Sequence, residues 1–159
     1  MTVAFVGLGS NMGDRRLNIS RAVKLISGRC RVLAVSRIYE TEPMYVTDQP
    51  KFFNAAIRIR TEMNPAALLA FLNRIEKGLG RNRAKERRFG KRTIDLDILF
   101  FGNVRLKSRR LVIPHPRLRE RAFVLIPLYE VRRSTEIRRL IKALPEKEIE
   151  GIRRTNAVL

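Results

Sequence analysis

Cysteine occurs once in the 159 residues, at Cys30, so no disulfide can form within the chain, and a reducing compartment suits it. Long apolar runs are missing: the longest, such as 122–129, reach about eight residues where a membrane span needs roughly 20. The opening Met-Thr-Val-Ala-Phe-Val has no basic segment of the kind that begins a secretory signal. There is no internal repeat, linker or low-complexity tract, and a hydrophobic content of 45% excludes a disordered basic tail. Histidine occurs once, at His115, and aspartate four times. Acids are scarce as a class: 15 stand against 34 bases, for a formal charge of +19, and 26 of those bases are arginine. These absences predict one cytoplasmic domain over residues 1–159, free of membrane and large enough to bury a core, that attracts anions.

A pI near 11.5 suits a nucleic acid, an anionic lipid surface or a polyphosphate ligand. A solvated surface made arginine-rich by genomic bias or heat adaptation is the plainer alternative. The densest basic stretch runs from Arg81 to Arg92 and reads as a loop. A looser set, Arg132, Arg133, Arg138, Arg139, Lys142, Arg153 and Arg154, reads as the polar face of a helix and a tail.

Local pattern supplies the order of elements. A strand over 2–8 ends in a glycine-rich turn, and Asp14 can cap a helix over 15–27. A second strand is predicted over 31–40, a proline-containing loop over 41–50, and a half-buried strand over 52–62, where polar and apolar residues alternate. Asn64 and Pro65 open a helix reaching about Leu79. After the basic loop come a strand over 93–101, a hairpin over 103–112, a turn over 114–121 and a buried helix over 122–131. A shorter helix near 135–144 and a C-terminal strand or tail finish the chain. The order strand–helix–strand–strand–helix–strand predicts an α+β, ferredoxin-like sandwich: a βαββαβ core with helices packed on an antiparallel sheet, and C-terminal additions.

The segment Arg92-Thr-Ile-Asp-Leu-Asp-Ile98 carries the chemistry. On a strand Ile94, Leu96 and Ile98 share one face and Asp95 and Asp97 the other, with Cα atoms about 6–7 Å apart. Two carboxylates that close repel unless something cationic joins them. Mg²⁺, which favours one or two carboxylates with water and phosphate oxygens, fits; salt bridges to neighbouring arginines are the alternative. A carboxylate pair beside mobile arginines is equipment for phosphoryl transfer. A nucleic-acid loop would look similar, with Phe89 stacking, but the acids oppose a phosphate backbone unless metal intervenes. The turn at 7–13 is no phosphate-binding loop, because its spacing is G-x-G-x-x-x-G and no Lys-Ser/Thr follows. Were it to touch ligand, Ser10 and Asn11 would do so. His115, between Pro114 and Pro116, is either structural or aimed at phosphate. Of the adjacent Phe52 and Phe53, alternation sends one to each face, so one can line a cleft.

These residues converge on a family. Gly9-Ser-Asn-Met-Gly-Asp14, Ser36 to Pro43, Gln49 to Ala56, Ile75 to Arg81, the R-x-x-D-x-D segment and Pro114-His115 through Phe123 together resemble the 6-hydroxymethyl-7,8-dihydropterin pyrophosphokinases, nearly end to end. The resemblance implies transfer of the terminal pyrophosphoryl unit of ATP to the hydroxymethyl of a dihydropterin on the folate pathway, with release of AMP. It implies that Asp95 and Asp97 hold two Mg²⁺ ions, and that Arg83 and Arg92 act with them in catalysis. Nucleotide contacts are implied for Asn73, Glu76, Arg83, Arg92, Ile98, Arg110, His115 and Arg121. Pterin contacts are implied for Thr41, Pro43, Met44, Phe52, Asn54, Phe89, Asp95 and Phe123, with Phe52 and Phe123 sandwiching the ring. The implied partners are ATP and a reduced pterin, with no nucleic acid and no membrane, in a monomer that can hand product to the next folate enzyme.

Departures from the family pattern are Phe89 in place of a common tryptophan, Lys91 before the signature Arg92, and Val112 and Pro116 in place of polar residues. The basic loop is one residue off the commonest alignment, so Arg81 and Arg83 can exchange roles. Two rivals make separate predictions. A nucleic-acid module predicts steeply salt-dependent, Mg²⁺-independent binding; a glycosyl or nucleotidyl transferase using Asp-x-Asp predicts a different leaving group.

Overall fold

The computed structural model describes residues 1–43, 47–82, 84 and 90–157. Its centre is an antiparallel sheet in which β1 (Thr2–Ser10) lies between β4 (Phe52–Thr61) and β5 (Asp95–Phe101). Beyond β4 lie β2 (Arg31–Val35), which pairs with its later half, and β3 (Tyr39–Thr41), which pairs with its start. The last strand, β8 (Ile152–Arg154), adds to the free edge of β3, giving the order β5-β1-β4-β3-β8. The molecule is a mixed α/β structure built on that sheet.

Helices cover both faces. On one lie α1 (Arg15–Ser27) and α2 (Pro65–Gly78), each begun by the side chain that the sequence offers. Asp14 accepts from the Leu17 N–H at 2.9 Å, and Asn64 from the Ala67 N–H at 2.8 Å. Alternation then fills this side: Val6, Ile57, Ile59, Leu96 and Ile98 from the sheet meet Ile19, Ile26, Leu68 and Leu72 from the helices. The other face carries α3 (Ala122–Val131) and α4 (Thr135–Lys142), which bury Leu125, Leu128 and Ile137 against Leu99, Phe100 and Ala56.

Several boundaries differ from those the pattern predicts. The expected strand over 31–40 is two strands. Between them the Ser36 hydroxyl accepts from the Ala56 N–H at 2.8 Å, and the Arg37 N–H donates to Glu130 Oε2 at 2.7 Å. Those side-chain bonds replace ladder bonds and bend the chain. The strand expected from Thr93 begins at Asp95, because Arg92 is tied to Asn11 instead. The hairpin consists of β6 (Leu106–Lys107) and β7 (Val112–Ile113). A short helix, α5 (Glu146–Glu150), precedes β8 in the C-terminal segment. Among the described residues no helix is long and apolar enough to cross a membrane.

Candidate active site

The two faces of the sheet part company at its β1 end. Where the α1–α2 side presents Leu8 and Leu96, the α3 side presents Gly7, Gly9, Asn54, Asp95 and Asp97 across β1, β4 and β5. A cavity of about 290 Å³ opens there, floored by the glycines and walled by Phe52, Phe123, Arg92 and Arg121. Gly9 sits opposite both Asn54 and Asp95 in register. A Cβ added there would meet Asn54 Oδ1 at 3.3 Å and the Asp95 Cβ at 3.9 Å. Bare backbone at this position is what leaves the floor open.

Asp95 and Asp97 both line the cavity, but their surroundings differ. Asp95 Oδ1 takes Arg81 Nη1 at 2.5 Å, and its Oδ2 takes Arg92 Nη1 at 2.8 Å. Burial works to raise its pKa, yet the two guanidiniums outweigh burial and hold the carboxyl below its usual range. Asp97 makes no hydrogen bond or ion pair among the described residues. Burial, the Asp95 charge and Glu76 push it up to about 7, against the smaller pull of Arg121 and Arg81. One acid is therefore held anionic by arginine, and its neighbour is starved of positive charge while facing open space.

That donor set fits a divalent cation. No group of three or more metal-ligating side chains exists among the described residues, so two carboxylates would have to be completed by water and substrate oxygens. Mg²⁺ favours such a shell. A cation there would also relieve the repulsion that raises Asp97.

Arg81 and Glu76 build the support beneath. Glu76 is 1% exposed; its Oε1 accepts from Arg81 Nη1 at 2.7 Å and from the Leu96 N–H at 2.8 Å. Arg81, itself 8% exposed, reaches from the end of α2 to Asp95 and to the Ile94 carbonyl. The sequence reading places Glu76 at the nucleotide. In the structure that carboxylate is buried under β5, where it holds Arg81 and the strand.

Asn11, 1% exposed, joins both loops that flank the cavity. Its Oδ1 accepts from the Arg92 N–H at 2.8 Å, and its Nδ2 donates to Gln49 Oε1 at 3.0 Å and the Pro50 carbonyl at 3.2 Å. Its backbone N–H also donates to the Arg92 carbonyl at 3.2 Å. Pattern reasoning offered Asn11 only as a ligand contact. Gln49, which lines the cavity, was seen only as part of a motif.

On the opposite wall Asn54 Nδ2 donates to Thr41 Oγ1 at 2.7 Å, so two buried polar side chains present a fixed edge. Phe52 lines the cavity with the Arg92 guanidinium 5.6 Å from its ring centroid. Phe53 turns to the other face beneath Arg15, 3.8 Å away. Arg121 begins α3 and lies 5.4 Å from the Phe123 ring; its Nε is buried with no acceptor among the described residues. A buried donor without an acceptor costs about 1–3 kcal/mol, which a ligand oxygen could offset.

The remaining expected residues are not gathered here. Ile98 buries its side chain on the α1–α2 side, Asn73 is exposed on α2, and Arg110 is exposed between β6 and β7. Pro43 is buried beside Glu42 but does not line the cavity. His115 borders a second cavity, of about 420 Å³. Its Nδ1 accepts from the Arg117 N–H at 3.3 Å. Burial, then the charge of Arg121, lowers its pKa to about 4, so the ring is neutral at pH 7. Arg83, Met44 and Phe89 lie outside the described residues.

An unpaired carboxylate, an arginine-held carboxylate and two phenyl walls surround one cavity, a set of groups able to hold a cation beside a flat ring. The model of the 7,8-dihydro-6-hydroxymethylpterin-pyrophosphokinase family matches residues 5–133, and the chain belongs to that family. It is 45% identical over 136 residues to a Bacillus subtilis 2-amino-4-hydroxy-6-hydroxymethyldihydropteridine pyrophosphokinase, covering 84% of this chain and 80% of that one. A mitochondrial folate synthesis bifunctional protein of Pisum sativum is 46% identical over 127 residues; these are 79% of this chain but 24% of the longer protein. A crystal structure of wild-type Plasmodium falciparum HPPK-DHPS with pterin and p-hydroxybenzoate superposes with a TM-score of 0.68 at 18% identity. It covers 96% of this chain and 45% of that one, a likeness of fold.

Proposed function

We propose that this chain transfers the terminal pyrophosphoryl group of ATP to the hydroxymethyl oxygen of 6-hydroxymethyl-7,8-dihydropterin, releasing AMP, in folate biosynthesis. The observation that carries the reading is that Asp95 and Asp97 open into the same cavity as Phe52, Phe123 and Asn54. A flat bicyclic ring stacks between the two phenyl groups, and the Asn54–Thr41 edge reads its polar rim. The hydroxymethyl then points at β5.

Asp95 and Asp97 are the residues to hold Mg²⁺, two ions on this reading, which when bound orient and neutralise the ATP phosphates. Arg92 and Arg121 grip phosphate oxygens, and Arg121 Nε has its donor free for one. Arg81 keeps Asp95 anionic and aligned. Arg83, Met44 and Phe89 remain part of this reading as phosphate and pterin contacts, as do Pro43, Asn73, Glu76, Ile98, Arg110 and His115 as pterin or nucleotide contacts. For Ile98 the contact falls to the backbone, since its side chain is in the core.

The order of β1, β2, β4 and β5 with α1 and α2 between them supports a ferredoxin-like reading of the core, with α3 to β8 as additions. We take residues 1–159 as one cytoplasmic pyrophosphokinase domain, a monomer that passes product to the next enzyme of the pathway. The test is to incubate the chain with ATP, Mg²⁺ and 6-hydroxymethyl-7,8-dihydropterin. AMP should appear with pterin and not without it; folded protein releasing no AMP above the pterin-free control overturns the assignment.

A further inference from the structure

The second cavity has the opposite electrostatic make-up from the first. It lies at the far end of β5, where Arg105, Arg119 and Arg132 line it and Glu136 is the acid among its lining residues. Glu136 Oε1 reaches Arg119 Nη2 only at 4.0 Å, and neither Arg105 nor Arg132 has a carboxylate partner among the described residues.

Arg132 is built in rather than draped over the surface. It ends α3, its N–H donating to the Leu128 carbonyl at 2.8 Å. Its guanidinium lies 3.9 Å from the centroid of Phe100 and 5.2 Å from that of Phe5, two rings that meet edge to face at 6.3 Å. Stacking holds a guanidinium by its face and leaves the in-plane N–H groups for an acceptor. Nη1 is buried and finds no acceptor among the described residues. Held donors, surplus positive charge and a cavity of about 420 Å³ occur together.

We propose that this cavity is a second oxyanion site, which takes inorganic phosphate or a phosphate monoester against Arg132 with Arg119 and Arg105 at its mouth. The site does not depend on the transferase reading.

The test is calorimetric titration of inorganic phosphate into the full chain already saturated with Mg²⁺, a non-hydrolysable ATP analogue and pterin, so that the first cavity is filled. One phosphate should still bind, and Arg132→Met should weaken it about tenfold or more, the loss expected when a charge-assisted fork is removed. Arg119→Met, at a side chain 72% exposed, should weaken it less without threatening the fold, and it decides the matter if Arg132→Met does not fold. Transfer activity should be unchanged in both variants. A parallel AMP titration separates the two sources: tighter binding than phosphate identifies a monoester site, weaker binding a site for free phosphate. Loss of phosphate binding once nucleotide is present would make the cavity, through His115 on its border, part of the nucleotide site and overturn the proposal. Equal phosphate affinity in wild type and the folded variants would overturn it too.

Discussion

The two faces of β5 alternate residue by residue yet belong to different kinds of structure. Leu96 and Ile98 point into a packed layer with α1 and α2, whereas Asp95 and Asp97, one step away, face a cavity. A strand with period two lets one segment serve a core and a reaction at once, because neither set of side chains can reach the other's surroundings. The core face is where stability resides, whereas on the cavity face Asp95 is compensated by two arginines and Asp97 is left without a partner among the described residues.

Asp97→Ala and Asp95→Ala break the cavity face. Each should lower kcat/KM by about a thousandfold or more, as expected when a principal charge-stabilising group is lost. The melting temperature should fall for Asp95→Ala, which strips Arg81 and Arg92 of a shared carboxylate, and be kept or raised for Asp97→Ala. Steady-state AMP release and thermal unfolding measure the two effects. Near-normal turnover in both variants would remove the metal assignment. Leu96→Ala, between them, should do the reverse. It should cost about 2–5 kcal/mol of stability by chemical denaturation, with kcat little changed at temperatures where the chain is folded.

Gly9→Ala sharpens the comparison on the neighbouring strand. Its Cβ would press on Asn54 Oδ1 at 3.3 Å, so the KM for pterin should rise about tenfold, within the range a misplaced methyl produces, with the KM for ATP nearly unaltered. An equal rise in both would show that the floor is not specific to the ring.

A pH-dependent effect attaches to His115, whose folded pKa of about 4 lies below its ordinary 6.5. The unfolded chain binds the proton more readily, so the contribution of the neutral ring is full above pH 6.5, is lost as pH falls toward 4, and is flat below that. The difference in unfolding free energy between wild type and His115→Gln should follow that window. A His115 resonance titrating near 6.5 in the folded protein would contradict it.

Much of the cavity face was readable in advance because it depends on neighbours in the chain. Alternation alone put both aspartates on one side of β5 and separated Phe52 from Phe53, and the helix starts at Asp14 and Asn64 are local hydrogen bonds. Where reading failed, the partner lay far along the chain. The break after Val35 depends on Glu130, 93 residues from Arg37. No local pattern announces that docking of α2 under β5 puts the Glu76 carboxylate beneath Leu96. The basic loop offered two arginines at comparable spacing, Arg81 and Arg83, and nothing local says that Arg81 reaches Asp95.

The charge of +19 shows the same division. Composition announces an anionic partner, because charge sums over the chain without regard to shape, and the Asp-x-Asp pair marks where phosphate chemistry belongs, because strand geometry is local. Which arginines neutralise that pair, which stack on Phe100, and which stand alone in solvent depends on elements brought together from distant parts of the chain. Burial multiplies or cancels a charge according to what packs beside it, and packing is a property of the folded molecule.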